Sequence, residues 1–307
     1  MLIDSFLTYI RCELNFSDCT VSSYHSDIAQ WYAFAASASV AGCDIHTSEP
    51  DPARVTLDDL RQWVAYLSSE GIGVASIRRK IQAVRAFYKF LLKRGLCSVN
   101  PAADLRPAKL PRRLPVCIRP DEIASVLDGD VDFSDFVDFR DRLIIYMFYA
   151  TGMRVSELIN LRDDAVDCSR CELKVLGKRN KERVIPFGGA LPTMIEHYRI
   201  LRDKQTGQTA SATFFVRPDG QPLTRVMAYN IVRKKLDGHV ASKKHSPHVL
   251  RHSCATDLLN NGADITAVCQ LLGHQSLATT QIYTHLSYRE LLNNYKFAHP
   301  RALKSGG

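Results

Sequence analysis

Two histidines and an arginine stand together in the segment Ser246-Pro247-His248-Val249-Leu250-Arg251-His252. Serine followed by proline marks a helix N-cap and first turn, so His248 and Arg251 fall one turn apart on one face. Free backbone N–H groups and the helix dipole favour an anion at that end, and a phosphate is the natural occupant. The i, i+4 spacing of His248 and His252, with His245 nearby, is also that of a helical zinc site. A zinc-protease helix needs glutamate directly after its first histidine, and Val249 stands there instead, with no carboxylate following at motif spacing. No metal is therefore assigned, and His252 reads as a packed residue or one that supports its neighbours.

Three further segments carry reactive side chains. In Ala150-Thr151-Gly152-Met153-Arg154-Val155-Ser156-Glu157-Leu158 a glycine joins an apolar run to a new helix, with Arg154 at its start and Glu157 one turn on. By itself that pair reads equally as a surface ion pair. In Leu271-Leu272-Gly273-His274-Gln275-Ser276 one helix ends at Gly273 and another is capped at Ser276, which puts His274 in the tight turn between them. Tyr283 lies in the following helix, where a core aromatic is the simpler reading. Lys178 falls at the tip of a hairpin whose strands are Glu172–Leu176 and Glu182–Phe187, joined through Gly177-Lys178-Arg179-Asn180-Lys181. Thr213–Val216 is expected to add a third strand.

The elements that position these groups follow from composition and periodicity. The chain has 307 residues, enough for about two domains. Its formal charge is +8, from 40 Lys and Arg against 32 Asp and Glu, which points to an anionic partner. No apolar run approaches the ~18 residues of a membrane span, and Asp4 interrupts the first stretch, so neither secretion nor insertion is expected. Nine cysteines, at 12, 19, 43, 97, 117, 168, 171, 254 and 269, are an odd number in a chain too large to need staples, which favours reduced thiols. The lone Cys168/Cys171 pair lacks the second pair of a zinc ribbon and reads as structural.

Thr56, Asp58 and Asp59 predict a capped helix over 57–69. Val74 to Arg94 follows as a second helix with Ile77, Ile81, Val84, Tyr88 and Leu91 on one stripe and Arg78, Arg85 and Lys89 on another. From Gly71 to Ala103 there are seven basic residues and no acid, a face suited to polyanion or, more plainly, a solvated one. Pro101, Pro107, Pro111, Pro115 and Pro120, interleaved with Arg106, Lys109, Arg112 and Arg113, predict an extended basic linker. The reading is therefore a helical N-terminal DNA-binding domain over 1–104, a linker over 105–120 and a mostly helical C-terminal domain with a small antiparallel sheet over 121–307. Arg78, Arg85, Lys89, Arg112 and Arg113 are its candidate phosphate contacts.

Taken together, "ATGMRVSEL", "VLGKRNKERVIPF", "SPHVLRHSCATDLL" and "LLGHQSLATTQIYTH", in that order, make the chain resemble the tyrosine site-specific recombinases of the phage-integrase family, most closely the Xer type. The resemblance runs from about Ser5 to Ala302. It implies a mainly α fold in which two domains form a C-shaped clamp around DNA. Carried onto matching positions, it makes Arg154, Lys178, His248, Arg251 and His274 the catalytic pocket and Tyr283 the nucleophile, with Glu157 and His252 in support. Two departures stand out: Arg179 where Xer proteins usually have glycine, and a longer Ala36–Arg54 stretch.

The chemistry implied needs neither metal nor ATP, and no cofactor is expected. Two guanidiniums and a histidine donor stabilise the extra charge on the non-bridging oxygens of an attacked phosphodiester. A tyrosine of ordinary pKa about 10 needs a base, for which His248 is the candidate, and Lys178 protonates the leaving 5′-oxygen. The resemblance implies a 3′-phosphotyrosyl intermediate and a Holliday junction, serving integration and excision or dimer resolution. It further implies double-stranded DNA with inverted half-sites as partner, a homo-tetramer or a hetero-tetramer with a paralogue, no membrane, and a bacterial cytoplasmic, nucleoid-associated setting. The segment after Tyr283, with Leu291, Leu292 and Tyr295, either passes to a neighbouring protomer or packs on its own domain. Two other readings are a type IB topoisomerase-like enzyme and a non-catalytic DNA-binding factor.

Overall fold

The computed structural model describes residues 2–37, 51–107, 117–129, 132–177, 182–207, 212–241, 244–273, 295 and 297–301. Its chain divides into two units, Met1–Arg113 and Leu114–Gly307. The division falls inside the proline-rich stretch, and Pro120 opens a helix of the second unit. A proline at the first helical position sacrifices no hydrogen bond, because that N–H would be unpaired anyway.

The first unit contains helices α1 (Leu2–Cys12), α2 (Asp18–Ser37), α3 (Leu57–Ser69) and α4 (Val74–Lys93). Helix α3 starts where the sequence predicts: the Thr56 hydroxyl accepts from the Asp59 N–H, and the Asp59 carboxylate accepts from the Thr56 N–H at 2.8 Å. The predicted apolar stripe of α4 is buried throughout and belongs to one core with Phe6, Trp31 and Trp63, the two indoles edge to face at 5.4 Å. The basic stripe is divided by what it touches. Lys80 is buried and donates to the buried Asp27 at 2.9 Å, which Arg79 also grips. Arg85 is turned along the chain that follows α4 and donates to the carbonyls of Ala102 and Leu105. Arg78 and Lys89 are exposed.

The second unit is built around α6 (Phe136–Thr151), packed by α5 (Pro120–Asp128), α8 (Leu191–Thr206), α9 (Arg225–Leu236) and α10 (Pro247–Asn260). From Leu143 to Thr151 every residue of α6 is buried, as expected for a helix apolar on all sides. Short α7 (Val155–Ile159) follows it, and α11 (Ile265–Leu272) packs on α10. The sheet is antiparallel in the order β1 (Val166–Asp167), β2 (Glu172–Leu176), β3 (Glu182–Pro186), with Leu173 opposite Ile185. The hairpin is where the sequence puts it. The third strand is not: Thr213 and Val216 form only isolated bridges, to Arg162 and Pro222, and β1 takes the edge of β2 instead.

The described end of the chain packs on its own unit. Tyr295, Ala298 and His299 are buried, Asn261 Nδ2 donates to the Ala298 carbonyl at 2.9 Å, and Arg301 forks onto Asp128 at 2.8 and 3.0 Å. Leu291 and Leu292 lie outside the described residues. All eight described cysteines are free.

Candidate active site

The site begins at the end of α6. Gly152 caps that helix at φ 59°, and a Cβ there would lie 2.5 Å from Leu272 Cδ2, so glycine answers both the left-handed backbone and the close approach of α11. Two residues on, Arg154 is the N-cap of α7. Its N–H donates to Glu157 Oε2 at 2.7 Å and its Nη1 to Glu157 Oε1 at 2.8 Å. Glu157 is only 1% exposed through its side chain, so this is no surface ion pair.

Arg251 enters from α10, whose N-cap is Ser246 and whose first residue is Pro247. It is buried, donating through Nη1 to the Gly152 carbonyl and through Nη2 to the Leu272 carbonyl at 2.6 Å. Arg154 Nη2 takes the next carbonyl, Gly273, at 2.7 Å. The last carbonyls of a helix have no partner within it, and here they hold both guanidiniums at one place. Gly273, at φ 62°, closes α11 as its sequence predicts.

His248 lies one turn before Arg251, exposed, with its ring 6.4 Å from that of Tyr229. Partial desolvation, followed by the positive charges of Arg225, Arg251 and Arg154, holds its imidazole below the ordinary value. It is therefore neutral near pH 7 and able to accept a proton. Burial, then the charge of Arg154, lowers Arg251 to about 10, which leaves it cationic at any physiological pH. Burial alone would raise Glu157, but hydrogen bonds from Arg183 and Arg154 outweigh it and keep the carboxylate ionised. A cavity of about 690 Å³ opens beside Arg154 and Glu157, bounded also by Lys174, Gly177 and Glu182 at the root of the hairpin.

The structure thus brings together Arg154, Glu157, His248 and Arg251, while His252 is half-buried further along α10. Lys178, Arg179, His274, Tyr283, Arg112 and Arg113 lie outside the described residues. Two charged groups escape a reading by motif: Arg225, at the first turn of α9, and Arg183, in β3. The signal available for Arg183 is its position two residues before the buried Ile185, which puts both on one face of the sheet.

A cationic pair is held on the end of one helix, with a histidine at the start of another, an arrangement chemically able to receive an anion such as a phosphodiester. The model of the phage integrase family matches residues 117–290, and that of the phage integrase N-terminal SAM-like domain matches residues 3–95. The tyrosine recombinase XerD of Chlorobaculum tepidum is 36% identical over 302 residues, covering 97% of this chain and 96% of that protein. The tyrosine recombinase XerC of Azotobacter vinelandii is 37% identical over 300 residues, covering 98% and 96%. The crystal structure of XerH site-specific recombinase bound to difH substrate, a pre-cleavage complex, shares the fold with a TM-score of 0.68 at 20% identity, covering 95% of this chain and 82% of that one. The chain belongs to the phage integrase family and is a Xer-type tyrosine recombinase, an enzyme of site-specific DNA recombination. Nothing in these matches favours the topoisomerase-like or the non-catalytic reading. Among the described residues no helix is long and apolar enough to cross a membrane.

Proposed function

We propose that Arg154, Arg251 and His274 hold the scissile phosphate, that Tyr283 is the nucleophile, that His248 is its base and that Lys178 is the acid for the leaving strand. The phenolic oxygen attacks phosphorus as its proton passes to His248. The bond to the 5′-oxygen breaks as that oxygen takes a proton from Lys178, leaving a 3′-phosphotyrosyl link. Religation reverses these transfers with the 5′-hydroxyl of a partner strand, so the bond energy is retained and no nucleotide cofactor enters. The observation that carries this reading is the seating of Arg154 and Arg251 on adjacent carbonyls, Gly273 and Leu272, immediately before His274 in the chain. Two guanidiniums so placed stabilise charge that grows on non-bridging oxygens in the transition state.

The domain over 1–104, the linker over 105–120 and the catalytic domain over 121–307 close as a clamp on duplex DNA with inverted half-sites, four protomers acting on two sites. The four protomers are copies of this chain or include a paralogue. Bacterial relatives support a cytoplasmic, nucleoid-associated setting. The test is a duplex nicked beside the cleavage site, built on the sequence that the full chain selects from a randomised pool. Wild-type protein is expected to give a covalent adduct on a denaturing gel and exchanged products from two labelled duplexes. Relaxation of supercoils without exchange, in the presence of any paralogue, would overturn the recombination scheme.

A further inference from the structure

Three successive carbonyls at the end of α11 are each taken by a different arginine. Arg251 has Leu272, Arg154 has Gly273, and Arg183 Nε donates to Leu271 at 2.9 Å. Arg183 comes from β3 and lies outside the six residues assigned to the reaction. Its side chain is 14% exposed, and its two terminal nitrogens fork onto the Glu157 carboxylate, Nη1 to Oε1 at 2.6 Å and Nη2 to Oε2 at 2.9 Å. Glu157 therefore lies between two guanidiniums, and both of its oxygens are shared.

A buried carboxylate paired with Arg154 alone would cancel the charge that Arg154 must present to a phosphate. A parallel two-bond fork is the strongest pairing geometry available to a carboxylate, and Arg183 holds it. Arg154 meets the same carboxylate through one guanidinium nitrogen and its backbone N–H.

We infer that Arg183 is a positioning residue for strand cleavage: by compensating Glu157 it leaves the charge of Arg154 to the scissile phosphate, while its bond to Leu271 fixes the helix end that seats Arg154 and Arg251. The inference rests on the pocket assigned above. Arg183 does not touch the phosphate; it sets how strongly Arg154 does.

Covalent-adduct formation on the nicked duplex described above, with full-length protein, tests it. Arg183→Gln is expected to bind the duplex within about threefold of wild type and to cleave at least about tenfold more slowly, the scale of a displaced catalytic group. Adding Glu157→Gln removes the carboxylate that Arg183 compensates, and the double variant is expected to cleave several-fold faster than Arg183→Gln. A neutral methylphosphonate at the scissile position, which asks less of Arg154, is expected to narrow the gap between wild type and Arg183→Gln. A double variant no faster than Arg183→Gln would make Arg183 only a tie between elements and overturn the inference, as would wild-type cleavage by Arg183→Gln. Where Arg183→Gln melts below the assay temperature, Arg183→Lys decides. Keeping the charge, it is expected to cleave within about fivefold of wild type, and a loss beyond about fiftyfold overturns the charge role. Failure of the pocket itself reads differently: wild type would form no adduct, or Tyr283→Phe would form one.

Discussion

His299 holds two hydrogen bonds that together fix its protonation: its Nε2–H donates to the Tyr149 carbonyl at 3.2 Å, and its Nδ1 accepts from the Arg301 N–H at 3.1 Å. Both bonds exist only in the neutral imidazole with hydrogen on Nε2. The ring is buried and stacked on Tyr295 at 5.0 Å, and Tyr149 in turn donates to Asp257 at 2.7 Å. The stretch from Tyr295 to Arg301 is thereby tied to α6 of the second unit through one titratable side chain.

Burial lowers His299 to about 4, against an ordinary value near 6.5. The unfolded chain therefore binds a proton at a higher pH than the folded one, and the stability His299 lends is complete above about 6.5 and falls as the pH drops from there toward 4. The full loss is on the order of 3 kcal/mol. Urea unfolding at pH 7 and pH 5 is expected to show a weaker wild type at pH 5, with a smaller difference in His299→Asn. Equal pH dependence in both proteins would mean that the tail is not held this way.

Tyr283→Phe removes only a phenolic oxygen, so binding to the selected duplex is expected to persist while the covalent adduct disappears. The denaturing gel is the readout, and full trapping by this variant would refute the nucleophile.

His248 as base predicts an acid limb in the cleavage profile below the ordinary imidazole value of about 6.5, because desolvation and then Arg225, Arg251 and Arg154 all favour its neutral form. Arg225→Ala removes one of those charges and is expected to move the limb toward higher pH. His248→Ala is expected to cost far more than His252→Ala, and cleavage should survive EDTA. Restoration by zinc after chelation would turn this helix into a metal site.

The basic face of α4 predicts two different phenotypes. Lys89→Ala, at an exposed position, is expected to lower the slope of log affinity against log salt by about 0.9 if it meets a phosphate. Arg85→Ala strands carbonyls of residues 102 and 105 and is expected to cost the first unit about 1–2 kcal/mol in a melting experiment. An unchanged melting temperature in Arg85→Ala would return that side chain to the set of phosphate contacts.

Gly152→Ala would place a methyl group 2.5 Å from Leu272 Cδ2 on a left-handed backbone. A destabilisation of about 2 kcal/mol or more is expected, with slower cleavage, because the Gly152 carbonyl is also a partner of Arg251. Retention of both wild-type stability and rate would show that α11 yields easily.

What the sequence settled by itself is local. Thr56 with Asp59, Ser246 with Pro247, and Gly152 and Gly273 past their helices each dictate a helix end through a few consecutive dihedrals, and the boundaries of α3, α10 and α11 follow from them. The β2–β3 pair was legible for the same reason, as two short runs joined by a glycine-containing turn, whereas β1, two residues long, is too short to carry any signal. Ordered motifs named the chemistry because residue types are written directly in the chain. Which charges meet was decided only by the tertiary structure. Nothing near Lys80 announces Asp27, nothing near Arg85 shows that it will serve Ala102 and Leu105, and nothing near Arg183 points to Glu157 and the end of α11. A guanidinium's partner depends on which backbone ends and carboxylates packing leaves without water, and that is fixed by contacts between segments far apart in sequence.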